Sequence, residues 1–244
     1  MKLSLPILFS WLVSLLVPVV LVLISVRILI SPLFLQIEYN TPGFPSDPYG
    51  FTKEDRLHWS RIAVQYLINS ADISFLGDLR FPERQSAPPQ SCQFMDDCTR
   101  VYNARELKHM VDVKNVVKSA IWVLYISLGV IAGLGVWAYF AGWLADYRRG
   151  LSRGGWITVG FIAAILLFVA IAFGVIFVLF HNIFFDSGTW TFFYSDTLIR
   201  LFPERFWRDT FIAIGILAGG SGLAMGLLLK EKKKGSNNNP VRTD

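Results

Sequence analysis

Two of the chain's three histidines stand at the ends of long apolar segments. His109 lies just before the apolar run at residues 116–144, and His181 directly follows the run at residues 156–180. If both runs cross a membrane, the two imidazoles lie at the same height on one side of it. Histidine is the side chain most easily poised as a proton acceptor near neutral pH. The pattern therefore predicts a membrane-embedded enzyme that acts on lipid esters.

Two acidic side chains flank His109 at helical spacing. Residues 103–118 are predicted to form a helix that runs into the second apolar segment, and Glu106, His109 and Asp112 are three residues apart within it. Residues three apart lie on neighbouring stripes of a helix, so one acid is placed to orient the imidazole. The same spacing is equally typical of an ordinary charged helix at a membrane interface, and both interpretations stay open.

The composition is that of a membrane protein. Of the 244 residues, 53% are apolar and 17% are charged, and the mean hydropathy is +0.47. Four segments supply the roughly 20 apolar residues that one helical crossing requires. They predict an all-α integral membrane four-helix bundle, whose first run exceeds the ~7–15 residues of a cleaved signal and is expected to be retained. The four segments are residues 3–35, 116–144, 156–180 and 211–229.

Basic residues predict the orientation. Lys and Arg are concentrated at residues 147–153 and 230–234, so the positive-inside rule puts both termini in the cytoplasm. These charges account for the pI of about 9.3 without a nucleic-acid partner. The predicted divisions are helix 1 at 1–35, a partly helical outer-face domain at 36–115, helix 2 at 116–145, a cytoplasmic basic loop at 146–155, helix 3 at 156–180, an outer interfacial loop at 181–208, helix 4 at 209–230 and a disordered basic tail at 231–244.

The outer-face domain contains both cysteines and the third histidine. Cys92 and Cys98 have five residues between them on the predicted outer side, which favours a local disulfide over a catalytic thiol. A helix is predicted from the N-cap Thr52 through Asn69, because apolar residues recur there at helical spacing. His58 lies in that helix and is interpreted as a structural residue.

Arginines lie in the segment at residues 181–208, which is predicted to be an outer interfacial loop. Arg200 and Arg205 are candidates for binding lipid phosphates or acyl-ester oxygens, because a guanidinium group matches such oxygens. The neighbouring aromatic residues are explained by a position in the membrane interface, without a catalytic role.

Glycines four residues apart predict close helix packing, at the pairs Gly129 and Gly133, Gly215 and Gly219, and Gly222 and Gly226.

Four segments resemble a known family. Residues 105–114 around His109, residues 180–185 around His181, the pair Thr189–Trp190, and residues 49–54 are similar to motifs of the bacterial four-helix integral membrane family that includes the lipoprotein intramolecular transacylase. The resemblance in architecture covers most of the chain. Two features depart from the short family pattern, namely the insert with Cys92 and Cys98 and the Lys-rich tail. These departures bear on the identity of the substrate more than on the fold.

The resemblance implies an acyl transfer without ATP, metal or redox cofactor. Its characterised member moves the sn-2 acyl chain of a diacylglyceryl lipoprotein onto the α-amino group of the same N-terminal cysteine and leaves a lyso-form lipoprotein. His109 and His181 match its essential histidines, and Tyr49 and Trp190, which stand in matching segments, are candidates for substrate binding. The chemistry is compatible, with His109 as candidate base and His181 or Asn182 as candidate donor to the oxyanion.

Two other functions compete with acyl transfer. In the first, four side chains converge on a zinc or iron ion at the outer face, namely His58, Glu106, His109 and His181. The apolar runs lack the further glutamates of a di-metal bundle, which disfavours this interpretation. In the second, the chain is a non-catalytic membrane sensor or assembly factor whose histidines respond to pH.

Overall fold

A computed structural model describes residues 4–229, and these residues are all-helical apart from turns and one isolated bridge. Four of the described helices are long and apolar enough to cross a membrane, as predicted. The predicted basic tail at 231–244 lies outside the described residues. The described helices are α1 (Leu5–Leu29), α2 (Pro32–Tyr39), α3 (Lys53–Ile68), α4 (Ser74–Gly77), α5 (Pro89–Cys92), α6 (Ala104–Phe140), α7 (Leu144–Phe184), α8 (Thr197–Leu201) and α9 (Glu204–Leu228).

The bundle is centred on α7, which packs against both α1 and α9, and these two helices also contact each other. Gly150 approaches α1 so closely that a Cβ there would lie 2.5 Å from the Ser10 carbonyl oxygen. Ser14 Oγ also donates to the Gly150 carbonyl at 3.0 Å. Gly155 and Gly222 bring the backbones of α7 and α9 into mutual contact. With lipid on all sides, this close backbone contact supplies the dispersion energy that holds the helices together.

The glycine prediction is confirmed for the fourth spanning helix and wrong for the second. A Cβ at Gly215 or Gly226 would collide with a side chain of α7. Gly129 and Gly133 of α6 face open space instead, with no atom of another element within 4 Å of their Cβ positions in the described part of the chain. Spacing alone does not tell which stripe of a spanning helix meets a neighbour.

Two predicted boundaries are corrected. The first spanning helix ends at Leu29 rather than at 35, because Ser31 caps a new helix that begins with Pro32. Its hydroxyl accepts from the Phe34 backbone N–H at 3.3 Å. The basic segment at 146–155 is not a loop but the first turns of α7. Chain reversal needs only residues 141–143, where Gly142 adopts a φ of +76° that glycine tolerates.

Both predicted helix starts in the polar regions are confirmed. Thr52 caps α3 and Asn103 caps α6, each within a reciprocal capping box. The cap at Asn103 begins a helix of 37 residues, about 55 Å long at 1.5 Å per residue. This length exceeds one membrane crossing, so the first turns of α6, including His109, project beyond the apolar segment.

The segment between α2 and α6 forms a small domain on the end of the bundle. Its core combines aromatic and aliphatic side chains from α3, α4 and the strand-like bridge with Leu201 of α8. The segment predicted as an outer loop at 181–208 is thus partly helical, since it contains the end of α7, all of α8 and the start of α9. This domain holds the chain between α7 and α9 against the first turns of α6.

Candidate active site

The structure brings His109 and His181 together at one end of the bundle. His109 lies in the second turn of α6 and His181 in the last turn of α7. Their ring centroids are 6.2 Å apart and the ring planes are 21° from parallel. Both residues are buried, with 8% of the surface of each exposed. One reacting group can therefore lie within hydrogen-bonding reach of both imidazoles.

Aromatic rings form the wall around the two imidazoles. Phe177 and Trp190 contact His181, with centroids 4.2 and 4.7 Å from its ring. Phe192 lies 5.3 Å from His109, and Phe185 touches both histidines at 4.9 and 5.5 Å. Such a wall is apolar and suits a hydrocarbon chain or an ester better than an ionic substrate. Sequence reasoning missed Phe177, Phe185 and Phe192 as site residues.

One hydrogen bond distinguishes the two histidines. The Nδ1 atom of His181 lies 2.8 Å from the carbonyl oxygen of Phe177, one turn earlier in α7. A carbonyl oxygen only accepts, so Nδ1 carries the proton, and Nε2 of the neutral ring has the free lone pair. The Nδ1 atom of His109 is buried and has no hydrogen-bond partner among the described residues. His181 is thus held in one tautomer, whereas His109 is not.

The acidic neighbours of His109 do not touch its ring. Glu106 is 1% exposed, and its carboxylate accepts from the Asn103 backbone N–H at 2.8 Å and from the Leu198 backbone N–H at 2.7 Å. Asp112 is half-exposed one turn further along α6. Glu106 therefore joins the start of α6 to α8 and is not bonded to the imidazole.

A second buried carboxylate holds the loop that carries the aromatic wall. Asp196 is fully buried and accepts from the Phe193 backbone N–H at 2.9 Å and the Asn103 amide at 3.0 Å. Arg105 forms an ion pair with it at 3.3 Å. Because Phe192 and Trp190 precede these contacts by a few residues, Asp196 fixes their approach to the histidines. No sequence motif pointed to Asp196, since its side-chain partners Asn103 and Arg105 lie about 90 positions earlier.

The two predicted arginines are engaged by the protein itself. Arg200 is 4% exposed and forms a buried ion pair with Asp47 at 2.9 Å. It also donates to the Tyr49 carbonyl at 3.2 Å, so Tyr49 and Arg200 lie together. Arg205 pairs with Asp209 at 3.0 Å and donates to backbone carbonyls of the segment after α2. Neither guanidinium contacts the histidine pair.

The remaining predicted residues lie apart from the pair or beside it. Asn182 is exposed and lines a shallow hollow with Gly174 and Val178 on the flank of α7. Cys92 and Cys98 form a disulfide in the small domain. His58 packs edge-to-face against Trp59 and lines a separate hollow along α3. The four side chains of the metal hypothesis thus do not converge, and the described residues contain no cluster of His, Cys, Asp and Glu that could hold a metal ion.

The fold and the site define an all-helical integral membrane protein with an aromatic-walled histidine pair at one end of its bundle. A sequence model of the family described as lipoprotein intramolecular transacylase Lit matches residues 11–207. The chain belongs to this family, and the expectation from the sequence motifs is confirmed.

Individual relatives agree with this membership. An uncharacterized protein of Aquifex aeolicus (strain VF5) is 30% identical over 220 residues, which is 87% of this chain and 90% of that protein. The membrane integral lipoprotein intramolecular transacylase Lit from Bacillus cereus has a similar fold, with a TM-score of 0.70 at 21% identity over 91% of this chain and 92% of that one. A form of the same protein with a histidine-to-arginine substitution aligns with a TM-score of 0.63 at 21% identity, over 91% of this chain and 89% of that one.

Proposed function

We propose that this transacylase moves the sn-2 acyl chain of a diacylglyceryl-modified lipoprotein onto the α-amino group of its N-terminal cysteine. The product is an N-acylated lipoprotein with a free hydroxyl at the sn-2 position. The observation that carries the proposal is the stacked pair of His109 and His181 within one aromatic wall. Family membership supplies the reaction class, and the geometry offers two proton-transfer groups where one substrate group can reach both.

His181 is the general base in this proposal. An α-amino group has a reference pKa of about 7.7–8.0, so a proton must leave the nitrogen before it can attack an ester. The Nδ1 bond to Phe177 directs the lone pair of Nε2 away from the helix backbone. This assignment reverses the expectation from sequence, which favoured His109 as the base. A fixed tautomer is useful in catalysis because the accepting atom needs no rearrangement at the moment of reaction.

The reaction needs no external energy source. The α-ammonium group first loses one proton to the solvent. The neutral amine then forms a C–N bond to the ester carbonyl carbon and gives a second proton to His181. Collapse of the tetrahedral intermediate breaks the C–O bond to the glycerol oxygen, and that oxygen takes up this second proton from the imidazolium. His109 lies 6.2 Å from His181 and is placed to orient the leaving oxygen. Because amine and ester belong to one substrate molecule, the enzyme mainly fixes their approach.

The proposal places the histidine pair on the extracytoplasmic side of the cell membrane. The basic residues at the start of α7 lie at the opposite end of that helix from His181, and such residues favour the cytoplasmic side. A lipoprotein anchored by its diacylglyceryl group presents its cysteine at the membrane surface. The first turns of α6 project to a comparable height, beyond the apolar segment.

Mass spectrometry of lipoprotein N-terminal lipopeptides tests the proposal. The chain is expressed in cells that lack other N-acylating enzymes, as wild type and as His181→Ala, His109→Ala and His58→Ala variants. Wild type and His58→Ala are expected to give N-acyl-S-monoacylglyceryl cysteine, and the other two variants are expected to leave the diacylglyceryl form. His58→Ala is the matched control because this histidine lies in α3, away from the pair.

One result overturns the proposal. If the wild-type chain is folded and inserted in the membrane but the lipopeptides remain diacylated, the lipoprotein is not its substrate. A free phospholipid substrate is then tested by following lysophospholipid formation in the same membranes.

A further inference from the structure

Trp190 carries the most conspicuous unpaired donor at the histidine pair. Its indole Nε1 atom is buried, and no acceptor among the described residues bonds to it. The ring lies 4.7 Å from the His181 ring, centroid to centroid, and is tilted by 37°. A buried N–H group without a partner is unfavourable by about 1–3 kcal/mol. Such groups are rare in native structures, and binding of an external acceptor is one way in which they are satisfied.

The loop around Trp190 is held in a defined conformation. Thr189 donates its backbone N–H and its hydroxyl to the Asp186 carbonyl, at 3.2 and 2.9 Å. On the other side, the Asp196 carboxylate accepts from the Phe193 backbone N–H at 2.9 Å. Two anchors therefore hold the backbone on either side of Trp190 before any substrate arrives. A donor fixed in this way needs no reorganisation during the reaction, which is the property of an effective oxyanion site.

We propose that the indole N–H of Trp190 donates a hydrogen bond to the carbonyl oxygen of the scissile ester and holds the oxyanion of the tetrahedral intermediate. This inference rests on the proposed function. The amine that His181 deprotonates must attack the ester carbon next to that ring, so the ester oxygen lies within reach of a neighbouring donor. Trp190 is that neighbour, whereas Asn182 points to the exposed hollow on α7.

The step balances without a further reactant. As the C–N bond forms, the π electrons of the carbonyl move onto its oxygen, and the Trp190 N–H strengthens its hydrogen bond to the resulting negative charge. The same electrons re-form the C=O bond when the C–O bond to glycerol breaks. Trp190 neither gains nor loses a proton, because an indole N–H acts only as a donor.

A Trp190→Phe variant removes the donor and keeps an aromatic ring in the wall. The expected result is a fall of about 10²–10³-fold in kcat with little change in KM, because the missing bond is strongest in the transition state. Activity is measured with a synthetic diacylglyceryl-cysteine peptide in detergent micelles. Trp207→Phe is the matched control, since this indole contacts Phe177 at 6.3 Å but not the histidines, and it is expected to keep wild-type kcat.

Two inhibitors separate an oxyanion donor from a packing residue. A phosphonamidate that mimics the tetrahedral intermediate is expected to lose affinity for Trp190→Phe by about the same factor as kcat/KM. A substrate analogue with an ether in place of the sn-2 ester has no carbonyl oxygen, and its affinity is expected to stay unchanged. Equal weakening of both ligands, or unchanged phosphonamidate binding, overturns the inference.

Failure of this inference is distinguishable from failure of the proposed function. If wild type converts the peptide and Trp190→Phe is as fast, the acyl transfer stands and Trp190 is not the oxyanion donor. If wild type leaves the peptide unchanged, the proposed reaction itself fails, and the phosphonamidate is expected to bind no better than the ether. Thermal unfolding of each variant verifies that a loss of rate is not a loss of folded protein.

Discussion

Two polar clusters at the start of α6 differ in how completely their atoms are paired. In the scaffold cluster, formed by Asn103, Glu106 and Asp196, every carboxylate oxygen accepts a hydrogen bond from the protein. In the histidine pair, the Nδ1 atom of His109 has no partner among the described residues. A cluster whose polar atoms all have hydrogen-bond partners stabilises the fold, whereas a cluster with an unpaired polar atom can still bind a ligand there. This difference in hydrogen bonding distinguishes the scaffold cluster, which positions the helices, from the histidine pair, which is the candidate reacting group.

Replacing His181 is expected to have the largest effect and to act on rate alone. His181→Gln removes the proposed base but leaves a side chain of similar size, so kcat is expected to fall by about 10²–10⁴-fold. Thermal unfolding in detergent is expected to change little, because the one hydrogen bond that His181 makes within residues 4–229 is to a carbonyl of its own helix. Single-turnover kinetics and an unfolding curve on the same preparation measure both quantities.

The opposite result for His181→Gln breaks the comparison. A variant that unfolds several degrees earlier but retains kcat when folded makes His181 a structural residue. The histidine pair then belongs with the scaffold cluster.

Replacing Glu106 is expected to act on stability. Glu106→Ala leaves the Asn103 and Leu198 backbone N–H groups buried without acceptors, which is expected to lower the free energy of unfolding by about 2–4 kcal/mol. Below its unfolding temperature the variant is expected to keep kcat within a few-fold of wild type, because Glu106 does not touch His109. Chemical unfolding and a kcat measurement at low temperature test the two halves.

Asp112→Ala is the matched control for Glu106→Ala. Both acids flank His109 at the same spacing, but Asp112 is half-exposed and, among the residues that the structure describes, forms no hydrogen bond or ion pair with another element. It is expected to leave stability and kcat unchanged. A large loss of kcat in folded Glu106→Ala, with a shifted pH profile, contradicts the scaffold assignment and restores the orienting acid that the spacing suggested.

The sequence predicted local structure better than long-range contacts. The caps at Thr52 and Asn103 depend on residues three positions away, so their side-chain chemistry was readable from the chain. The end of α1 is also indicated by local residues, because Ser31 and Pro32 are typical of a new helix start. The prediction missed it because the apolar run continues past them to residue 35. The basic segment at residues 146–155 was wrongly predicted to be a loop. The positive-inside rule states only on which side of the membrane basic residues lie, and a helix satisfies it as well as a loop does.

The site was only half predictable for the same physical reason. The two histidines are rare residues at the ends of long segments, so their meeting followed from topology. The chain has 20 phenylalanines, and no pattern singles out Phe177 and Phe192 as the ones that line the pair. Glu106 was noticed, but its partner Leu198 is 92 positions away, and a spacing argument assigned it to the nearest histidine instead.

A carboxyl group away from the histidines tests whether an unpaired atom always marks a reacting group. Glu38 of α2 is 3% exposed, and its Oε1 atom has no partner among the described residues. Burial, and next the nearby Asp209 carboxylate, raise the pKa of Glu38 to about 7. The folded chain therefore holds this proton more tightly than the unfolded chain does. The resulting stability is fully present below about pH 4.5, the ordinary pKa of the group, and is lost as the pH rises through about 7.

Glu38→Gln is the test, and its effect is the smallest of the three. The neutral amide removes the cost of ionisation, so the variant is expected to match wild type at pH 5 and to exceed it by about 1–3 kcal/mol in unfolding free energy at pH 8. Glu83→Gln, at an exposed position outside the helices, is expected to show no such difference. Transfer activity is expected to persist in Glu38→Gln, because Glu38 lies on α2 beside Asp209 of α9 and not at the histidine pair. Lost activity with intact folding makes Glu38 part of the proton path, and unpaired burial then marks reactive groups throughout this end of the bundle.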